Sequence, residues 1–167
     1  MLFRSDTGYQ GLARQFADRS IERAYAALVW GVPAPASGAI EAPIGRHPTD
    51  RKKMAVVGRG GKPALTRYRV LKVLAGGAIS LIECRLATGR THQIRVHLAH
   101  AGHPVLGDDK YGDFELNRAL ARQGLKRLVL HARRLAFAHP ATGERLRLEA
   151  PLPADLRGFL EASLALP

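Results

Sequence analysis

The chain has a single cysteine, Cys84, among its 167 residues. One thiol can form no internal disulfide and supplies no cysteine-based zinc site, and the apolar neighbours of Cys84 predict a small core residue. No segment approaches the roughly 20 consecutive apolar residues that a membrane-spanning helix needs. No basic and apolar leader follows Met1. These absences favour a soluble protein of a reducing compartment, and we expect it in the cytoplasm, without a membrane partner.

Acidic residues are scarce. The chain has 14 Asp and Glu against 26 Lys and Arg, a formal net charge of +12, and 20 of the basic residues are arginine. Hydrophobic residues make up 46% of the chain, enough to build a core, so wholesale disorder is excluded. Such a balance predicts a polyanionic partner, with nucleic acid ahead of an acidic membrane surface.

The positive charge is concentrated in residues 36–75. Nine basic residues and only Glu41 and Asp50 fall in this segment, giving it +7 of the total +12. A solvated surface normally mixes signs, so the asymmetry favours a binding surface. Glycines and Pro63 within the segment predict a mobile arm rather than a rigid helix.

The hydrophobic pattern predicts an α+β domain without internal repeats or a dividing linker. Its sheet is mainly antiparallel because two strands are joined by Gly76-Gly77, a hairpin signal. The predicted helices cover residues 9–19, a segment starting near Thr91, 113–123 and 155–164, and the predicted strands cover 21–30, 65–74, 78–86, 128–137 and 145–148.

The densest polar cluster is T-G-R-T-H-Q-I-R-V-H, residues 88–97, at a predicted strand-to-helix junction. Free backbone N–H groups at such a junction favour anions. The functional interpretation is an oxyanion or phosphate site, or an arginine that pairs a buried catalytic carboxylate; the structural one is a helix cap with exposed basic side chains. His92 and His97 are five residues apart and share no helical face, so we predict no metal site.

A second cluster, residues 102–112, has glycines around Asp108 and Tyr111. Asp108 could act as a general acid or base, but Asx turns and helix caps use aspartate for structural reasons, and we favour the structural role. Tyr25 stands alone in an apolar strand, where periodicity predicts a core aromatic unless its hydroxyl meets a polar group.

The residues themselves resemble RluA-like pseudouridine synthases. The resemblance is carried by R-A-Y-A-A-L-V-W-G (23–31), by L-A-T-G-R-T-H-Q-I-R-V-H-L (86–98) followed by G-H-P-V-L-G-D (102–108), and by R-L-V-L-H-A (127–132) with H-P-A-T-G-E (139–144). It implies the pseudouridine synthase fold, a mixed and mainly antiparallel sheet with flanking helices. It also implies isomerisation of uridine to pseudouridine, with no metal or organic cofactor.

The resemblance also implies roles for individual residues. Tyr25 matches the tyrosine that stacks on the base and assists proton removal, and Arg95 matches the arginine that pairs with the catalytic aspartate. We expect RNA contacts from basic and polar side chains of the two segments already described: Arg46, Arg51, Lys52, Lys53, Arg90, His92, Gln93 and His97. Ribosomal RNA, from the large subunit, is the expected substrate, transfer RNA is possible, and a monomer is the expected state.

One departure from the family pattern is large. Family members carry the nucleophilic aspartate in an H-R-L-D-x-x-T-S-G motif, which this chain does not contain. A gapless alignment places that motif before Met1 and makes Asp6 a surface residue, whereas a rival alignment takes residues 3–6 as a degenerate copy of it. We therefore expect residues 1–167 to be the C-terminal portion of the catalytic domain, without an S4-type domain. Either this is a pseudouridine synthase lacking its nucleophile in the given chain, or it is a non-catalytic RNA-binding remnant of the same fold.

Overall fold

A computed structural model describes residues 6–164. Its centre is a six-stranded sheet in the order β2-β5-β6-β1-β7-β8, in which every described pair of strands is antiparallel. A separate two-stranded sheet pairs β3 with β4. The α+β class with a mainly antiparallel sheet is thereby confirmed.

The elements follow one another as α1 (Asp6–Ala17), β1 (Glu22–Trp30), β2 (Ser37–Glu41), β3 (Ile44–Arg46), β4 (Met54–Val56), β5 (Leu65–Leu74), a 3₁₀ turn (Ala75–Gly77), β6 (Ile79–Leu86), α2 (Gln93–His100), α3 (Phe114–Arg122), β7 (Leu130–Ala138), β8 (Arg145–Glu149) and α4 (Ala154–Leu164). Predicted β5 has the observed bounds, and the other predicted elements differ by up to three residues at an end. None of the helices within residues 6–164 is long and apolar enough to cross a membrane.

The basic segment 36–75 is where the prediction was wrong. Besides the predicted β5 it contains β2, β3 and β4 in place of a mobile arm, and backbone hydrogen bonds from Ala42 to Ala64 and from Ile44 to Lys62 join its two halves. Strands β2, β3 and β4 have only three to five residues each, too few for local periodicity to reveal them, and β2 pairs with residues of β5 that lie 24–32 positions away.

Strand β1 separates two apolar clusters because successive side chains point to opposite faces of a sheet. Leu28 packs in a cluster with Leu120 of α3 and Leu156 of α4. Ala27 and Val29 pack on the other face in a cluster with two residues of α2, Ile94 and Leu98. The sheet therefore has an α3/α4 face and an α2 face.

Cys84 lies in the cluster on the α2 face with no exposed surface, as predicted. Burial, followed by the charge of neighbouring Glu83, raises the pKa of its thiol to about 12. The thiol is therefore protonated at neutral pH and acts as a small apolar side chain.

Helix α1 packs through Leu12 against Phe137 of β7. Its Gln15 side chain accepts a hydrogen bond from the backbone N–H of Ala138 at 2.9 Å and donates to the carbonyl of the same residue at 2.8 Å. Asp6 is the first residue of this helix and is exposed, in agreement with the gapless alignment.

Candidate active site

The loop between β6 and α2 is held by one buried side chain, Gln93, the first residue of α2. Its carbonyl oxygen accepts from the hydroxyl of Thr88 at 2.7 Å and from the backbone N–H of Arg90 at 2.9 Å. Its amide nitrogen donates to the carbonyl of Leu65 and to the hydroxyl of Thr66, both at 3.0 Å. Gln93 is 2% exposed and joins the loop to β5, so it shapes the T-G-R-T-H loop and is not placed to contact RNA directly.

His97 continues this buried network. Its Nε2 faces the carbonyl of Ala42 at 2.9 Å and must donate to it, so Nδ1 accepts from the hydroxyl of Thr66 at 2.9 Å. Burial lowers the pKa of His97, against the opposing effect of the Ala42 carbonyl. His97 has no exposed surface and is not a surface RNA contact; as a neutral ring it ties α2 to the segment after β2.

Arg95 is the arginine of this cluster that pairs with a buried carboxylate. Its Nε and Nη2 donate to the two carboxylate oxygens of Asp108 at 2.8 and 2.7 Å. Asp108 has no exposed surface, and its Oδ1 also accepts from the backbone N–H groups of Lys110 and Tyr111. The structural role predicted for Asp108 is present as an Asx-type turn, and the pairing with Arg95 adds to it.

The electrostatics of this pair follow from its surroundings. Burial alone would raise the pKa of Asp108, but the hydrogen bonds from Arg95, Tyr111 and Lys110 outweigh it, so the pKa is lowered. The hydrogen bond to Asp108 raises the pKa of Arg95, and burial works against it. Both groups are therefore ionised at neutral pH.

Tyr111 completes the setting of Arg95. The guanidinium carbon lies 5.0 Å from the centre of the Tyr111 ring, within cation–π range. The Tyr111 hydroxyl accepts from the backbone N–H of Met54 at 2.9 Å and shares a hydrogen bond of 2.8 Å with Nδ1 of His92. The guanidinium of Arg95 is thus bound at its edge by the Asp108 carboxylate, and one of its faces lies over the Tyr111 ring.

His92 precedes α2 in a left-handed backbone conformation, with φ of 54°. Such a conformation costs a non-glycine residue about 1 kcal/mol or more and is concentrated at functional sites. Burial lowers the pKa of His92, and the charges of Arg95 and Lys110 lower it further. The ring is therefore neutral at pH 7 and acts as a hydrogen-bonding partner of Tyr111.

Tyr25 lies on the α2 face of β1. It is half-buried and packs against the cluster that contains Ile94 and Leu98 of α2. The same helix carries Arg95. The structure places both predicted catalytic residues on this face of the sheet.

Arg23, two residues before Tyr25, shares this face and was missed as a site residue. Its guanidinium carbon lies 5.6 Å from the centre of the Phe16 ring of α1, and its buried Nε has no hydrogen-bond partner within the described residues. A Cβ added at Gly89 would lie 2.6 Å from its Nη1, so the glycine of the T-G-R-T-H loop leaves room for this arginine. The alternation of R-A-Y along the strand is the signal that could have identified it.

The predicted basic contacts divide into two groups. Arg46, Arg51, Lys52 and Lys53 belong to the β3–β4 hairpin, which packs against α2 through a cluster containing Met54, Val96 and Tyr111. Arg46, Arg51 and Lys52 are exposed there. Arg90 is half-buried, and its Nε donates to the carbonyl of Pro63 at 3.0 Å. The hairpin thus brings a cationic edge beside the platform of Arg95, Asp108 and Tyr111.

Comparison with known proteins identifies the family. The family profile described as RNA pseudouridylate synthase matches residues 2–100, more than half of the chain. The chain belongs to this family. The RluA-like resemblance is confirmed by close relatives: ribosomal large subunit pseudouridine synthase D of Zymomonas mobilis is 45% identical over 92% of this chain. The protein of the same name from Nitrosomonas europaea is 48% identical over 93% of this chain.

The fold agrees with a solved member of the family. The structure of Human RNA Pseudouridylate Synthase Domain Containing 1 superposes with a TM-score of 0.74 at 30% identity, covering 98% of this chain and 74% of that chain. The two bacterial matches cover 49% and 45% of those relatives, so this chain spans about half the length of the curated relatives it matches.

Proposed function

We propose that this pseudouridylate synthase family member acts in the isomerisation of uridine to pseudouridine in large-subunit ribosomal RNA, without metal or organic cofactor, and in the cytoplasm. The names of the Zymomonas and Nitrosomonas relatives support the substrate. The observation that carries the proposal is the fixed cation: Arg95, paired with Asp108 and set on the Tyr111 ring, on the face of the sheet that carries Tyr25.

Each side chain suits one part of that reaction. In this family a carboxylate attacks the nucleoside, the uracil detaches and turns, and it is rejoined through carbon. A guanidinium such as that of Arg95 keeps a nearby carboxylate ionised and oriented. The phenol of Tyr25 can stack on the base and exchange a proton with it.

The β3–β4 hairpin and Arg90 would hold the RNA. The target base must leave its stack, which costs a few kcal/mol, so phosphate contacts have to compensate. Arg46, Arg51 and Lys52 offer exposed cations for this purpose, and Lys53, half-exposed and 3.9 Å from Asp50, completes the group.

The two hypotheses differ in whether the protein has a nucleophilic aspartate. The 167 residues do not contain the H-R-L-D-x-x-T-S-G motif; Asp108 is buried and bound to Arg95, and Asp6 is exposed at the start of α1. We therefore expect the 167-residue chain by itself to bind RNA but to form little pseudouridine. A non-catalytic RNA-binding protein would show the same two results, and an in-frame H-R-L-D codon run upstream of Met1 in the genomic DNA would favour the synthase.

The test is to incubate the purified chain with a large-subunit ribosomal RNA transcript and measure pseudouridine by mass spectrometry and RNA affinity by fluorescence anisotropy. We expect affinity to fall steeply with salt, as phosphate contacts require. If the affinity does not change with salt, binding through RNA phosphates is refuted. If the chain forms pseudouridine in quantity, the inference that it lacks the nucleophile is refuted. If product forms, the variant Asp6→Asn decides whether the rival alignment is correct.

A further inference from the structure

On the α3/α4 face of the sheet, one part is covered by the apolar cluster of Leu28, Leu120 and Leu156, and another part carries charged side chains. There the strands carry four arginines, Arg67 and Arg69 of β5, Arg85 of β6 and Arg134 of β7, which we name the arginine patch. The side chains of Arg69 and Arg85 are 61% and 58% exposed, and Arg67 is exposed as well. None of the four belongs to the candidate active site, which lies on the opposite face.

The strand register brings these side chains into one row. Arg67 is directly opposite Arg85, Arg85 is opposite Ala24 of β1, and Ala24 is opposite Arg134. Neighbouring strands lie about 4.8 Å apart, so the row crosses four strands in about 15 Å. Ala24, between Arg85 and Arg134, is 3% exposed, and its short side chain leaves open space between the two arginines.

A single carboxylate serves the patch. Glu83 has a side chain that is 8% exposed, and it accepts a hydrogen bond from Nε of Arg85 at 3.0 Å, with Arg69 at 3.7 Å and Arg134 at 3.9 Å. Four arginines against one glutamate leave a local charge of +3. Two other acids lie on this face: Glu22 is paired with Arg145, and Glu149, directly opposite Arg134 in the strand register, is paired with Arg147.

This arrangement runs against what sheet stability favours. Like charges directly opposite on neighbouring strands are destabilising, yet Arg67 faces Arg85. A sheet face that is merely solvated would mix the two signs. Glu83 compensates Arg85 but forms no ion pair with Arg67, and a local rule broken in this way is typical of a functional surface.

Two hollows flank the central arginine. One, of about 200 Å³, is lined by both β5 arginines, Tyr68, Glu83 and Arg85. The other, of about 150 Å³, is lined by residues that include Arg85, Arg134, Ala24 and Arg23. Since Arg23 also flanks Tyr25 on the opposite face, the patch continues around the end of β1 toward the candidate active site.

We propose that the arginine patch is a second binding surface for the phosphate backbone of the substrate RNA, reached by the strand that passes around the end of β1 from the active site. This inference rests on RNA being the substrate. Arginine is suited to it because its planar fork binds phosphate oxygens in pairs and keeps its charge at any working pH. The surface reads no bases, so it would strengthen binding to all sequences alike.

The test uses the full chain and a fluorescein-labelled single-stranded segment of large-subunit ribosomal RNA. The variant Arg67→Gln/Arg69→Gln removes two charges from exposed positions and leaves the bond between Arg85 and Glu83 in place. The matched control, Lys126→Gln/Arg157→Gln, also removes two exposed charges. Lys126 lies between α3 and β7, and Arg157 lies in α4, so neither belongs to the arginine patch. Circular dichroism and thermal unfolding check that both variants fold.

We expect the patch variant to lose about tenfold in affinity at 50 mM salt, and its plot of log K against log salt to be shallower by about 1.4. The control should change each value by less than half as much. Equal losses in the two variants, with the unmodified chain binding RNA, would refute the patch alone. Failure of the unmodified chain to bind would refute RNA as the partner, and the patch with it.

Two further measurements identify the polyanion. The variant Arg67→Lys/Arg69→Lys keeps the charge and should retain the salt slope of the unmodified chain within about 0.5. Poly-glutamate and phosphatidylserine vesicles serve as competing probes. If the patch variant loses affinity for either of them but not for RNA, the surface binds an acidic protein or a membrane and the proposal is wrong.

Discussion

Replacing Asp108 by asparagine tests the platform under Arg95 most directly. The carboxylate accepts two hydrogen bonds from Arg95 and two from backbone N–H groups, and it has no exposed surface. Asparagine keeps one acceptor but turns an NH₂ donor toward the guanidinium. The Arg95 side chain, 13% exposed, is left with only the exposed carboxylate of Asp109 as a counter-charge. Breaking a buried ion pair in this way costs about 3–5 kcal/mol of the free energy of unfolding.

Asp109 provides the matched control. It lies 3.4 Å from Nη2 of Arg95 but is 85% exposed, and an exposed pair contributes at most about 1 kcal/mol. Urea unfolding at pH 7 should therefore separate Asp108→Asn from Asp109→Asn by about 2 kcal/mol or more. If the two variants lose equal stability, Asp108 does not hold Arg95 and our description of the site is wrong.

The same pair predicts a pH dependence with a definite sign. Because the pKa of Asp108 is lowered in the folded state, its stabilising contribution is present above the unfolded pKa of about 3.9 and is lost as the pH falls through the lower folded value. The gap in unfolding free energy between the unmodified chain and Asp108→Asn should be constant from pH 7 to about pH 5 and then narrow. A gap that widens toward acid would contradict the ionised state assigned here.

Three other predictions concern the surrounding structure. Gly107→Ala should cost at least about 2 kcal/mol more than Gly143→Ala in urea unfolding; both glycines have positive φ, but only at Gly107 would the new Cβ lie against a backbone oxygen, that of Arg127. Equal losses would show that φ alone matters. Gln93→Leu should cost about 2–4 kcal/mol because it leaves several buried donors and acceptors unpaired, whereas exposed Thr91→Ala should change stability by less than about 0.5 kcal/mol; similar values for the two would contradict the network. In NMR titration the His97 ring should protonate below the ordinary histidine pKa of about 6.5, and protonation at or above that value would contradict its burial.

Strand β5 and its hairpin could be predicted because local signals agreed. Alternating side chains mark the strand and Gly76-Gly77 ends it, so residues 65–74 were assigned with the observed bounds. The start of α2 was placed near Thr91, two residues early, because His92 adopts a left-handed conformation that its residue type does not disclose. Strand β2 depends on a partner 24–32 positions away, and β3 and β4 are three residues each, too short for a periodic pattern to show.

The candidate site was predictable in composition but not in contacts. The motif around Arg95 indicates an arginine that pairs a carboxylate, but the partner in the structure, Asp108, lies 13 residues further along, in a loop whose glycines favour a structural role for it. Gln93 and His97 were assigned to RNA because their side chains carry donors. Thr66 and Ala42, brought in by the long-range pairing of β5 and by the segment after β2, bury both of them instead.

The geometry of Arg95 also bears on how it could hold a second carboxylate. A guanidinium has five N–H donors, and Asp108 uses one on Nε and one on Nη2. Within the described part of the chain Nη1 has no protein partner, so a carboxylate that binds there would not displace Asp108. Asp108 then fixes the plane of the fork over the Tyr111 ring before any anion arrives, and the incoming group loses less entropy on binding. Asp108 therefore orients Arg95 and does not compete with a second carboxylate for it.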